Sequence, residues 1–377
     1  MKNWKINKGM IRISPDLKSW WPVLFLPAGL LLFYGTSRMN EWVEKVYSRH
    51  IFKFIAQVLS HIAGVFPFSL GEALVIFLLI FILCRIILFF RKIIAQKEGR
   101  KAAVLTAIRR IAITVSIIYF LFVFLWGLNY NRLTFAELSG LEVKPSSVDE
   151  LEEVCFILAE RCNNLRTTLD EDLNGVMKID GGRRSALERA EKGYIEASRD
   201  YPVLSGKYGR PKGVVCSFAM SYTGTLGIYS VFTAEPNVNM DMADCDIPST
   251  ICHEMAHQRG FAREDEANYI AYLTCSYHPD DDFKYSGALL ALIYAGNALY
   301  EHAPEKYKQL RAEYSPGVVR DLRAISDFWS EYEGPVEDIS SSINDTYLKA
   351  NRQSDGVESY GRMVDLLLAE YRAGKMR

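Results

Sequence analysis

Histidine is scarce in this chain, six in 377 residues, so any histidine pair at a chemically meaningful spacing carries information. No charge of either sign is in excess. Lys and Arg total 44 against 45 Asp and Glu, a net charge of −1. With no basic stripe among aromatics in the second half, this excludes a nucleic-acid partner. There is no Cys-x-x-Cys pair, which removes thiolate-based zinc ribbons. Internal repeats and low-complexity tracts are also missing, which removes solenoids and solvating tails.

Long apolar runs are present, all in the first third. Trp20 to Thr36 is uncharged and opens on two tryptophans, suited to a membrane interface. A cleaved signal peptide would look similar, but Gly35-Thr-Ser-Arg-Met makes a poor cleavage site. Ala73 to Phe90 is broken only by Arg85, and Ile111 to Leu128 carries no charge. These runs predict three spanning helices near 20–37, 70–90 and 111–128, each close to the lower length limit for crossing about 30 Å of hydrocarbon. Between the first two, Ile51, Phe54, Ile55, Val58, Leu59, Ile62 and Val65 recur at helical spacing, an amphipathic helix near 51–65 that lies in the interface or packs on the spans. The tail before Trp20 has five Lys and Arg, residues 91–110 have seven, and the intervening connection has four. The positive-inside rule then puts the N-terminus in the cytoplasm, and everything after Tyr130 outside a multi-pass cell-membrane protein.

Residues 1–130 therefore read as a membrane anchor and 131–377 as a mostly α, α+β extracytoplasmic domain. Helical patterns cover Val148 to Arg166, Arg184 to Asp200, Tyr285 to Tyr300, Pro304 to Tyr314, Val318 to Trp329, Val336 to Ala350 and Tyr360 to Arg372. Val214 to Ser221 and Ile228 to Thr233 read as a hairpin turning at Thr223-Gly224. Six of the seven cysteines fall in this domain, where disulfides are permitted. Cys155 and Cys162, two helical turns apart, are too distant to bridge each other.

The domain is organised around residues 246–276. His253, Glu254 and His257 form an HExxH pattern, whose chance occurrence has odds of roughly one in a hundred or less. On a helix opened by Pro248, Ser249 and Thr250 and closed at Gly260, the two histidines project from one face and reach one ion. Glu254 sits where its carboxylate can take a proton from a water that the ion activates. A second helix from Arg263 presents Glu264, Ala267 and Asn268 together. Glu264 then completes a three-ligand zinc site, and Asn268, one turn on, hydrogen-bonds a ligand. Glu266 is the alternative third ligand, and the helix phase favours Glu264. Asp265 reads as a solvated first-turn acid. Cys252 points away from the ligand face and reads as packing. Tyr360, Tyr347 and Arg362 are candidate donors to an oxyanion.

HExxH followed by Glu264-Asp-Glu-Ala-Asn268 resembles the gluzincin metallopeptidases. The longer string His253-Glu-Met-Ala-His-Gln-Arg-Gly-Phe-Ala-Arg-Glu-Asp-Glu-Ala-Asn268 and the upstream Gly227-Ile-Tyr-Ser-Val-Phe-Thr-Ala-Glu-Pro-Asn-Val-Asn239 are similar to a bacterial membrane-protein family known as domain of unknown function 3810. That resemblance extends over nearly the whole chain, including Asp355-Gly-Val-Glu-Ser-Tyr360, and implies a zincin-like site without naming a substrate. Most gluzincins place the glutamate helix well downstream. Here His257 and Glu264 are only seven apart, so the Gly260 turn, reminiscent of metzincins, must reverse the chain sharply.

The expected function is a membrane-anchored zinc metallopeptidase acting on proteins or peptides, with the bilayer as its other partner. Its metal ligands are His253, His257 and Glu264, its general base is Glu254, and its oxyanion donor is Tyr360. The competing expectation is a non-catalytic zinc-binding sensor or scaffold, against which an intact Glu254 counts, because a structural site has no use for that carboxylate. A regulatory protease with one partner substrate has the same sequence features. The sequence leaves the oligomeric state open.

Overall fold

The computed structural model describes residues 20–95 and 99–376. The basic residues before Trp20, and Lys97, lie outside the described residues. A 3₁₀ turn, Trp21–Leu24, carries Pro22 where a helix start tolerates it and continues into α1 (Phe25–Gly35). A π-helical stretch, Val43–Phe52, then leads into α2 (Lys53–Gly64). Next come α3 (Leu70–Ala95) and α4 (Arg100–Leu125).

Helices α3 and α4 are long and apolar enough to cross a membrane. At about 1.5 Å per residue each spans roughly 39 Å, more than the ~30 Å of a bilayer core. The expected first span is shorter, eleven residues of α1 beyond its opening turn, and packs along α4. There Phe25 lies 5.1 Å from Phe120, ring to ring. Three helix ends meet one body of protein. Phe33 O, near the end of α1, accepts from Asn131 Nδ2 at 2.7 Å. The Glu235 carboxylate accepts from the backbone N–H groups of Leu70 and Gly71 at the start of α3, at 3.2 and 2.8 Å. Trp126, directly after α4, is buried.

The amphipathic helix forms, and its apolar stripe faces outward. Ala56, Ser60 and Ala63 are the buried side of α2, and Ser60 Oγ accepts from Gly209 N at 3.0 Å. Phe54, Val58, Ile62 and Val65 are exposed. Residues 36–69, grouped by sequence with the anchor, also share a core with the domain. Val43, Tyr47 and Phe52 pack with Trp126, Tyr130 and Tyr229. Beneath them Arg132 Nε meets Glu44 Oε2 at 2.8 Å, both groups buried.

Beyond this junction α5 (Val148–Arg166) opens on a capping box between Ser147 and Glu150. Helices α6 (Gly182–Arg189) and α7 (Glu191–Asp200) meet at Ala190, so the helical pattern expected over 184–200 is realised in two pieces. A small sheet has the order β1-β3-β2, with β1 (Lys212–Gly213) parallel and β2 (Gly227–Ser230) antiparallel to β3 (Glu235–Val238). The hairpin is therefore β2–β3. The strand expected over 214–221 does not form, and Ser217–Tyr222 is a short helix. Glu72 of α3 accepts the N–H groups of Val215 and Cys216 at 3.0 and 2.7 Å, occupying donors that a ladder would need.

Helices α8 (Ile247–Gln258), α9 (Glu264–Ser276) and α10 (Asp281–His302) form the centre of the domain. Leu158 of α5, Ile251, Ala271 and Leu289 belong to its main core. Helices Pro304–Ala312, Pro316–Ser330 and Pro335–Ala350 follow. A 3₁₀ segment, Gly356–Arg362, then enters α11 (Met363–Arg372), where one helix was expected over 360–372. All seven cysteines are free thiols.

Candidate metal centre

Pro248 in the first turn of α8 gives up an N–H that has no helical acceptor. At the other end Gly260 takes φ +82°, a left-handed conformation that a side chain would strain. Gly260 N bonds His257 O at 2.8 Å, and Phe261 N bonds Ala256 O at 3.2 Å, the paired pattern that stops a helix and turns the chain. A Cβ at Gly260 would also lie 2.9 Å from the Phe52 ring. Helix α9 starts four residues later, which brings Glu264 back over the histidines.

Three ligand atoms then converge. His253 Nε2 and His257 Nε2 are 3.1 Å apart, and Glu264 Oε2 lies 3.2 and 3.4 Å from them. Zinc bonds of about 2.0–2.1 Å in a tetrahedral arrangement require ligand atoms roughly 3.3 Å apart. The separations fit a zinc ion without rearrangement. Each histidine is also held by its other nitrogen. His257 Nδ1 lies 2.7 Å from Phe261 O, and His253 Nδ1 lies 2.7 Å from Asn268 Oδ1. A carbonyl oxygen only accepts, so Nδ1 of His257 carries the proton and Nε2 is presented as the ligand atom. Asn268 is anchored in turn, donating from Nδ2 to Tyr360 O at 3.2 Å.

Electrostatics agree with the donor set. Burial alone would raise the Glu264 carboxyl, but His257 and His253 opposite it hold it well below the usual carboxylate range. Burial works against the His257 imidazolium, yet the Glu264 carboxylate raises it to about 9. Glu254 is pushed up to about 7 by burial, against the pull of His253 and His257. Its Oε2 is buried with no hydrogen-bond partner among the described residues. Strand β2 passes directly over it. A Cβ at Gly227 would meet Glu254 Oε1 at 2.5 Å, so only glycine lets the strand come this close.

Glu264, His253, His257 and Asn268 come together in this way, and Glu266 does not join them. Its Oε1 accepts from Phe135 N at 3.0 Å, on the far side of α9. Asp265, expected as a solvated acid, is half-buried. Tyr360 lies beside the site, where Glu264 and Glu254 act on its phenol after burial has raised it, and its hydroxyl is 3.4 Å from Asn344 Nδ2. The Tyr347 hydroxyl accepts from the Tyr130 hydroxyl at 3.0 Å, and Glu264 acts on both. Arg362 is turned away, paired with Asp355 at 2.6 Å on an exposed surface.

Sequence reasoning passed over three groups around this centre. Trp126 stands edge-on to His257, with ring centroids 5.8 Å apart, so the end of α4 meets a candidate ligand. Gln353 Oε1 caps the start of α9, accepting from Glu264 N at 3.1 Å. Tyr294 lies beside Asn268 and Glu264, and burial pushes its phenol up to about 12. None lies at a spacing that ties it to HExxH, and only folding brings them there.

Residues 47–368 match the family described as protein of unknown function (DUF3810). The match covers most of the chain, which therefore belongs to that family. No curated protein and no solved structure matches it.

Proposed function

We propose that this member of the DUF3810 family is a membrane-anchored zinc-dependent metallopeptidase that hydrolyses peptide bonds with Glu254 as general base. The observation that carries this reading is the triangle of His253 Nε2, His257 Nε2 and Glu264 Oε2, with sides of 3.1 to 3.4 Å, beside a buried Glu254 oxygen that has no partner among the described residues. A zinc ion held by those three atoms supplies Lewis acidity, acidifying water and polarising a carbonyl. Glu254 takes the proton of the attacking water and returns it to the leaving amine. Burial keeps the Tyr360 phenol protonated, so it can donate to the developing oxyanion. Among the described residues β2 is an edge strand, the kind of edge that pairs with an extended peptide, and Gly227 lets it run close to Glu254.

In this reading the N-terminal run, α3 and α4 are three spans of a zincin-like membrane protein, and the N-terminus is cytoplasmic. Arg91, Lys92, Arg100 and Lys101 sit at the ends of α3 and α4 away from the domain, which supports placing the metal centre outside.

The test is Glu254→Gln in cells, with cell-surface protein fragments compared against wild type. Zinc stays bound, and cleavage falls by roughly 10²–10⁴, the usual loss for a missing general base. Unchanged fragments with zinc retained would replace the enzyme with a non-catalytic zinc-binding sensor or scaffold.

A further inference from the structure

Behind the metal centre, at the C-terminal end of α8, lies a cavity of about 810 Å³ whose lining includes Arg49, Lys53, Arg132, Tyr208 and Arg259. It is strongly cationic. Glu44 answers two of the four cations, taking Arg49 Nε at 2.7 Å and Arg132 Nε at 2.8 Å. Lys53 and Arg259 have no carboxylate within ion-pair distance among the described residues. At the rim, the one acid of the lining, Asp200, accepts from the Tyr277 hydroxyl, and Lys375 lines the same edge.

Arg259 is only 4% exposed and is built in with care. Its Nε donates to Leu204 O at 2.9 Å and its Nη1 to Met255 O at 3.0 Å. Its guanidinium stacks on Tyr194 and Tyr208, 3.8 and 4.8 Å from the ring centroids. This fixes the plane of the group and leaves Nη2 without a protein acceptor among the described residues. Among the described residues, Lys53 Nζ reaches only Ser205 Oγ, at 3.4 Å. Burial, then Arg259 and Arg49 beside it, disfavour its charge. Cations held this close with so little counter-charge leave the cavity short of an anion, and a planar guanidinium beside an ammonium suits tetrahedral oxyanions.

The cavity also adjoins the surface where headgroups would lie. Lys53 opens α2, the helix that turns Phe54, Val58, Ile62 and Val65 outward and packs its small side on the domain. A helix with this division lies in a bilayer interface with its basic edge at the phosphate level.

We propose that this cavity is a phosphate-binding site, separate from the metal centre, that takes the phosphate of an anionic phospholipid headgroup or the free anion through Lys53, Arg49 and Arg259. Occupation would tie the π-helical stretch and α2 to the C-terminal end of α8. The site does not depend on zinc or on peptidase activity.

The test uses the purified full chain in phosphatidylcholine nanodiscs. Inorganic phosphate is titrated in one arm, followed by tyrosine and tryptophan fluorescence. Phosphatidylglycerol is added to the discs in the other, with retained lipid counted by native mass spectrometry. One phosphate or one phosphatidylglycerol per chain is expected, with Lys53→Gln weakening it at least about tenfold, as the loss of a charge-assisted hydrogen bond does. Lys192→Gln, a surface control paired with Asp280, should bind as wild type. Lys53 is not part of the core, so Lys53→Gln should fold, which its thermal midpoint checks. Binding of phosphate alone identifies a free-anion site, and binding of phosphatidylglycerol alone a lipid site. Saturation by neither, or wild-type affinity in Lys53→Gln, overturns the proposal.

Discussion

The turn joining α8 to α9 and the pair α3–α4 dispose of their side chains in opposite ways. Between 246 and 276 nearly every residue is buried, and Nδ1 of both histidines meets a polar partner, while Glu254 Oε2 meets none among the described residues. In α3 the only buried residue is Gly71, while Phe77, Leu79, Ile80 and Leu83 face outward. Apolar surface must leave water in either case. The turn does so in a protein core, whereas α3 and α4 are long and apolar enough to do so by crossing a membrane. The two regions meet where Trp126, directly after α4, stands against His257, so this end of α4 forms one wall of the candidate metal site.

The contrast implies a topology that can be broken outright. A reporter active only outside the cytoplasm, fused after Arg377, is expected to be active, and one inserted at Gly99 silent. The reverse pattern would put the metal site in the cytoplasm.

Within the turn, the two glutamates of α9 differ as much as the two regions do. Glu264→Ala removes a ligand charge and is expected to cost zinc affinity about a hundredfold or more, whereas Glu266→Ala leaves zinc bound, because that carboxylate holds Phe135 N. Asn268→Ala, which frees the His253 ring, should weaken affinity roughly 10–100-fold. Zinc titrations of the three variants decide it. An empty site in Glu266→Ala with a full one in Glu264→Ala would invert the assignment.

An effect graded with pH follows from His257, raised to about 9 by Glu264 against the effect of burial. Below that pH the metal-free site holds a proton on His257 that zinc must displace. Apparent zinc affinity should therefore fall about tenfold per unit as pH drops from 9 towards 6, and level off above 9. An affinity independent of pH over that interval would remove His257 from the ligand set.

Legibility follows the reach of the interactions involved. HExxH, the Gly260 stop and the Glu264 face are set by residues within eighteen positions of one another, and periodicity located α5 from Val148 to Arg166 with both ends correct. What failed depended on distant partners. Val214 and Val215 favour a strand, but Glu72, more than 140 residues earlier, takes the N–H groups that follow. The amphipathic stripe of 51–65 gave the helix, but not that its small side would pack on Gly209. The ten-residue π-helix from Val43 to Phe52 has no signature in spacing. It turns Glu44, Ser48 and Phe52 inward, and Glu44 finds Arg132 and Ser48 finds Asn129.

Zinc content of the purified full chain is the most direct measurement. One zinc ion per chain is expected, with two nitrogen ligands at about 2.0–2.1 Å by X-ray absorption, and none in the His253→Ala/His257→Ala double variant. Zinc at full occupancy in that double variant would contradict the site.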